Sequence, residues 1–132
     1  MTEADQQKLS TFHTKSLRRI LRIFWPQKIT NQNLLIKCKQ EDISILISRR
    51  RWRWIGHILR KSPVELTKTA MFWTPEGKRR RGRPKITWRR TVESEMANFQ
   101  HTWGSLKKMA QNRQMWRNFV AVPHANGRRN GQ

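Results

Sequence analysis

From Ile43 to Lys61 the chain places apolar residues on two sides of one helix and leaves a single narrow strip for cations. Ile43, Ile47, Trp54 and Ile58 make one stripe, and Ile45, Trp52, Ile55 and Leu59 widen it round a second side. At about 100° per residue a helix this apolar belongs mostly inside, so the rest of the chain has to supply its cover. Asp42 can cap its start, and Ser62-Pro63 halts it, because a residue before proline avoids the helical region. The strip left over holds Arg49, Arg53, Gly56 and Arg60, at offsets of 0, 4, 7 and 11. Three guanidinium groups along one edge suit bidentate contacts to phosphate, and Gly56 removes a side chain that would hold a partner off. A solvated face, with Arg stems covering apolar surface, makes the same pattern.

Elements to provide that cover can be read on both sides. Between Asp5 and Phe24, Leu9, Phe12, Leu17, Ile20, Leu21 and Phe24 recur at helical spacing, with Lys8, Lys15, Arg18 and Arg22 opposite them. Pro26 is expected to stop this amphipathic helix. Thr30 or Asn31 can cap a short second helix through Leu34, Leu35 and Cys38. Residues 63–77 are ambiguous: Leu66, Ala70, Met71 and Trp73 pack either as a short helix or as an extended segment before the Thr74-Pro75-Glu76-Gly77 turn. Thr87 reads as the N-cap of a helix through Trp88, Val92 and Met96. A last helical region spans Thr102 to Val120, with Trp103, Leu106, Met109, Ala110, Trp116 and Phe119 on its core side. The expected fold is all-α, a small bundle of about five helices with a basic loop and disordered ends. The chain divides on this reading into a flexible N-terminus (1–8), a helical domain (9–121) that includes the basic loop 76–86, and a disordered basic tail (122–132).

Charge decides the class of partner. The chain holds 29 Lys and Arg against eight Asp and Glu, a net charge of +21, far beyond what solubility requires. In the segment Lys78-Arg79-Arg80-Arg81-Gly82-Arg83-Pro84-Lys85-Ile86-Thr87-Trp88-Arg89-Arg90, eight of thirteen residues are cationic and none is acidic. So dense a field is either solvated or meets a polyanion, and nucleic acid is the usual one, since neutralised phosphates release their counterions. The core of the segment has the logic of an AT-hook. Gly82 lets the backbone approach a groove floor, Pro84 holds it extended, and Arg81 and Arg83 can enter a narrow A·T minor groove. A plain solvated basic loop is the competing reading. Lys78 to Arg81 also resembles a nuclear import cluster, and the start Met1-Thr2-Glu3-Ala4-Asp5 lacks the basic and apolar regions of a signal peptide. An intracellular, nuclear chain is expected, neither secreted nor membrane-spanning.

Catalytic chemistry finds little to work with. Asp5 and Asp42 are the two aspartates, and neither lies in a carboxylate cluster of the kind two-metal polymerases and nucleases need. Glu93 and Glu95 are two apart on a helix and face different ways. With no tyrosine, the Tyr-x-Asp-Asp box of reverse transcriptases is absent, and no Gly-rich loop leads into a Lys-Ser or Lys-Thr pair. Cys38 stands alone, which excludes an internal disulfide and reads as a buried thiol. A zinc site from Cys38, His13, His57 and His101 matches no ligand spacing, and the histidines read as core or edge residues. No base and orienting acid stand beside Ser10, Ser16 or Ser94. No enzyme activity, cofactor, metal or small-molecule substrate is expected.

Three motifs carry a resemblance. Arg49-Arg50-Arg51-Trp52-Arg53-Trp54-Ile55-Gly56-His57-Ile58-Leu59-Arg60, then Trp73-Thr74-Pro75-Glu76-Gly77 running through Lys78 to Pro84, then Thr87-Trp88-Arg89-Arg90-Thr91, occur in that order. They resemble the extreme C-terminal region of LINE-type (non-LTR) retrotransposon endonuclease–reverse transcriptase polyproteins. Leu17-Arg18-Arg19-Ile20-Leu21 to Asn31, and Trp103 through Ala110-Gln111-Asn112-Arg113 to Trp116-Arg117, extend the likeness over roughly residues 9–121. The resemblance implies a fragment lying downstream of an endonuclease and a polymerase palm, in a region thought to hold RNA template or target DNA. This chain departs from the pattern at Asn112, where the family often has an acid before Arg113, and carries no Cys/His knuckle.

The reading that results is a non-catalytic module binding DNA or RNA. Its contacts are Arg49, Arg53 and Arg60 on the long helix, Lys78, Arg79, Arg80, Arg81, Gly82, Arg83, Pro84 and Lys85 in the loop, and Arg89 and Arg90 beyond it. The alternative is a translated transposon remnant whose charge is inherited and whose core is loosely packed. Attachment of the first amphipathic helix to an anionic membrane is a third possibility, set against the core's own need for that apolar face.

Overall fold

The structure, a computed structural model, describes residues 3–74, 76–77, 82 and 88–122. Among them the chain is all-α, with seven helices: α1 (Glu3–Ile20), α2 (Asn31–Lys37), α3 (Ile43–Arg60), α4 (Leu66–Phe72), α5 (Trp88–Asn98), α6 (Trp103–Gln111) and α7 (Arg113–Ala121). Two more helices form than the five expected. The ambiguous stretch after Pro63 closes into α4, and the last region divides at Asn112. There the backbone leaves the helical range (φ −91°, ψ 105°), and the Asn112 side chain accepts from the N–H groups of Gln114 and Met115. One residue thus ends α6 and caps α7.

Packing divides the chain into two compact units, residues 3–51 and 52–122 of the described chain, with α3 crossing the boundary. In the first unit α2 packs on α1. Arg18 fixes the connection by donating to the Ile29 carbonyl at 3.1 Å and to Asn31 Oδ1 at 2.6 Å. The buried Thr14 hydroxyl turns back to its own helix, donating to the Ser10 carbonyl at 2.9 Å. Thr30 caps α2 as expected, accepting from the Asn33 N–H. Asp42 caps α3, its Oδ1 accepting from the Ser44 N–H at 2.8 Å, while Oδ2 accepts from Ser10 at 3.2 Å. Burial pushes the Asp42 carboxyl upward, but the Ser44 hydroxyl and N–H, the Ser10 hydroxyl and the charge of His13 outweigh it and hold the pKa below the ordinary value.

Two expectations fail in this unit. The apolar stripe of the first helix does not form a buried core: Phe12, Ile20 and Phe24 are exposed, Leu21 is borderline, and Leu34 of α2 is the hydrophobic residue fully enclosed. Cys38 is only half-buried. The helix also ends before Pro26 can act. Arg22 takes a left-handed conformation (φ 53°), so the N–H groups of Ile23 and Arg22 turn back to the carbonyls of Arg18 and Arg19. Lys39 after α2 and Gln100 after α5 do the same, with the same paired bonds. These are three Schellman stops built without glycine, and none carries a signal in the sequence.

The second unit has a dense aromatic core built round Trp52. Its side chain is fully buried, its Nε1 donates to Glu95 Oε2 at 3.1 Å, and its carbonyl accepts from Trp116 Nε1 at 3.1 Å. The rings of Phe119 and Phe99 meet it edge-on at 5.4 and 6.1 Å. Ile55, Ile58 and Leu59 of α3, Met71 of α4, Val92 and Met96 of α5, Leu106 and Ala110 of α6, and Val120 of α7 complete the cluster. Lys68 closes the end of α3 by donating to the carbonyls of Leu59 (3.2 Å) and Lys61 (2.6 Å). Thr102 begins α6 in a reciprocal capping box with Ser105.

Candidate nucleic-acid interface

The arginine strip of α3 forms only in part. Gly56, placed by its sequence position on the open edge, is buried: a Cβ there would overlap Nε1 and Cε2 of Trp116 and stand 2.7 Å from Cδ1. The glycine admits an indole of the same molecule rather than a phosphate backbone. Because the core needs that edge, the exposed face of α3 in the second unit turns toward Arg53, Trp54 and His57. Trp54, assigned by periodicity to the apolar stripe, is 49 % exposed.

The cations differ in how far they are already committed. Arg49, in the first unit, makes a bidentate pair with Glu41, Nη1 at 2.6 Å and Nη2 at 2.9 Å. Arg60 donates to the Ala110 carbonyl at 3.2 Å, near the end of α6, so it satisfies a helix terminus. Burial, and then the charge of Arg113, lower its pKa from the ordinary value. Two guanidinium groups therefore converge at the α6–α7 junction. Arg89 is anchored by Glu93 Oε1 at 3.0 Å and by the Phe72 carbonyl at 3.3 Å. Arg53 and Arg90 are exposed. Glu93 and Glu95 do face different partners: Glu93 accepts from Arg89 and, at 3.4 Å, from Trp103 Nε1, whereas Glu95 accepts from Trp52.

Lys78, Arg79, Arg80, Arg81, Arg83, Pro84, Lys85 and the proposed cap Thr87 lie outside the described residues. Gly82 is described and exposed, with φ +156° and no atom within 4 Å of the place a Cβ would take. Gly77 in the preceding turn has φ +92°, in the left-handed region that favours glycine.

Further exposed cations escaped the motif-based reading. Lys107, Lys108, Arg113 and Arg117 all face solvent, and Lys107 Nζ also sits 4.4 Å from the centre of the Phe72 ring. Arg113 and Arg117 flank the buried Trp116 and Val120 on α7, and their i,i+4 spacing was the available signal. Trp88 stands one turn before the buried Val92 on α5 yet is 42 % exposed, its ring edge-to-face with Trp54 at 5.7 Å. Among the described residues no three His, Cys, Asp or Glu side chains stand close enough to hold a metal ion, and no helix is long and apolar enough to cross a membrane. No family model, curated protein or solved structure matches this chain.

Proposed function

We propose that the protein is a non-catalytic nucleic-acid-binding module, a small helical bundle descended from the C-terminal region of a LINE-type retrotransposon endonuclease–reverse transcriptase. The observation that carries this reading is the net charge of +21. Even if every carboxylate paired once, that many cations would have no carboxylate to pair with. The pairs Arg49–Glu41, Lys61–Glu65 and Arg89–Glu93 each take up one of the eight acids. A polyanion of regular charge spacing is the partner that such a surface fits. Arg53 and Arg90 on the second unit, with the loop residues Lys78 to Lys85, are its phosphate contacts, and Arg81 and Arg83 carry any preference for A·T tracts.

The test is binding of a mixed-sequence duplex across a salt series. About six to ten phosphate contacts make the logarithm of affinity fall steeply and linearly with the logarithm of salt concentration. Replacing Arg53 by Ala flattens that slope by about one unit, and Arg83→Ala removes an A·T preference while leaving general binding intact. Affinity that barely changes with salt refutes the reading. A second reading, a translated remnant without a selected role, is favoured by the first unit, where Phe12, Ile20, Phe24, Trp25 and Ile36 stand exposed. A single sharp, cooperative unfolding transition for the whole chain counts against it.

A further inference from the structure

Trp54 and Trp88 stand 34 positions apart in the chain yet form one aromatic pair on the surface of the second unit. Their rings meet at 82° with centres 5.7 Å apart, and the side chains remain 49 % and 42 % exposed. We propose that this pair is a stacking platform for unpaired bases of single-stranded nucleic acid. The inference rests on the nucleic-acid reading above and specifies the form of the ligand.

Rigidity is the first argument. Trp54 is followed directly by the fully buried Ile55, and Trp88 precedes the fully buried Val92 by one helical turn. The bond from Trp52 to Glu95 ties α3 to α5, and Arg89 ties the start of α5 to the Phe72 carbonyl. Two rings held this way lose little conformational freedom when a base stacks on them. The second argument is contrast. The indole nitrogens of Trp52, Trp103 and Trp116 all donate within the unit. Among the described residues those of Trp54 and Trp88 donate to nothing, so neither ring is fixed for a polar contact of the fold. Charge supplies the third. Arg53 directly precedes Trp54 and is exposed, and Lys85 lies three residues before Trp88 in sequence. Aromatic faces interleaved with cations are what an unpaired strand recognises, base on ring and phosphate on guanidinium. A duplex keeps its base faces inside its own stack, so it can use the cations but not the rings.

The experiment compares a labelled 20-nucleotide oligothymidylate with a mixed-sequence duplex of equal length, using the full chain at physiological salt. Trp54→Ala and Trp88→Ala are each expected to weaken oligothymidylate binding by about tenfold, with duplex affinity and salt slope unchanged. Trp54→Phe and Trp88→Phe keep most of the affinity. Indole fluorescence gives a readout that does not depend on the Ala variants folding: oligothymidylate quenches the wild type, and the Trp54→Phe/Trp88→Phe double variant loses most of that quenching. Unchanged single-strand affinity in both Ala variants, an equal loss for duplex and single strand, or undiminished quenching in the double Phe variant overturns the platform alone. Failure of the wild type to bind either probe overturns both the platform and the nucleic-acid reading.

Discussion

Replacing Gly56 by Ala tests the central packing claim, because ordinary helix energetics predict the opposite result. In an exposed helix interior Gly→Ala stabilises by about 1 kcal/mol. Here the new methyl meets the indole of Trp116, which is 3 % exposed, donates to the Trp52 carbonyl at 3.1 Å and lies against Trp52 and Phe119 at 6.3 and 5.3 Å. A ring held on three sides cannot step aside at low cost. Forcing it out strains the core by about 1–3 kcal/mol, and losing the bond leaves a buried N–H without an acceptor at a further cost of about 1–3 kcal/mol. After subtracting the helix preference, a net loss of about 3 kcal/mol is expected, or a fall in Tm of about 10–20 °C for a unit of this size. Thermal unfolding followed by circular dichroism measures it. The decisive control repeats Gly56→Ala on a Trp116→Leu background, where the obstacle is gone and the substitution becomes neutral or stabilising. A Gly56→Ala protein that melts at or above the wild-type temperature refutes the account of α3 packing on α7.

Three further outcomes follow from particular residues. Gln100→Gly should raise stability by up to about 1 kcal/mol, since glycine removes the left-handed penalty that Gln100 carries at φ 57°, and a lower Tm would contradict this. Asp42 has a folded pKa below its unfolded value, so the folded state binds fewer protons there and stability rises with pH across that interval. Its contribution is complete above about pH 4 and is lost as pH falls through the folded pKa. The stability difference between wild type and Asp42→Asn should therefore shrink on acidification to pH 2–3 (denaturant titrations at several pH values measure this), and a difference that grew would reverse the sign. Glu41→Gln releases Arg49 from its bidentate pair at little cost in stability, about 0–1 kcal/mol for so exposed a contact. If Arg49 reaches phosphate, duplex affinity should rise and the salt slope steepen by about one unit. An unchanged slope assigns Arg49 to the fold alone.

Much of the helical content was legible in the chain because periodicity and caps are local. Thr30 and Asp42 each cap a helix as their side-chain chemistry predicts, and Leu106, Ala110 and Trp116 face the core as their spacing requires. The net charge, and with it the class of partner proposed, follows from composition alone. Other features were beyond local reading. The helix stops at Arg22, Lys39 and Gln100 depend on backbone torsions that a non-glycine residue adopts only when the following chain is drawn back over the helix end. The break at Asn112 hides inside a stretch whose apolar spacing looks continuous. Which edge of α3 faces water was settled by Trp116, sixty residues away, whose indole occupies the space left by Gly56. That docking buried the glycine, drew Arg60 to the end of α6, and left Trp54 outside to meet Trp88. Periodicity marks a helix side as apolar or polar, but only the partner helix decides which apolar side chains it can cover.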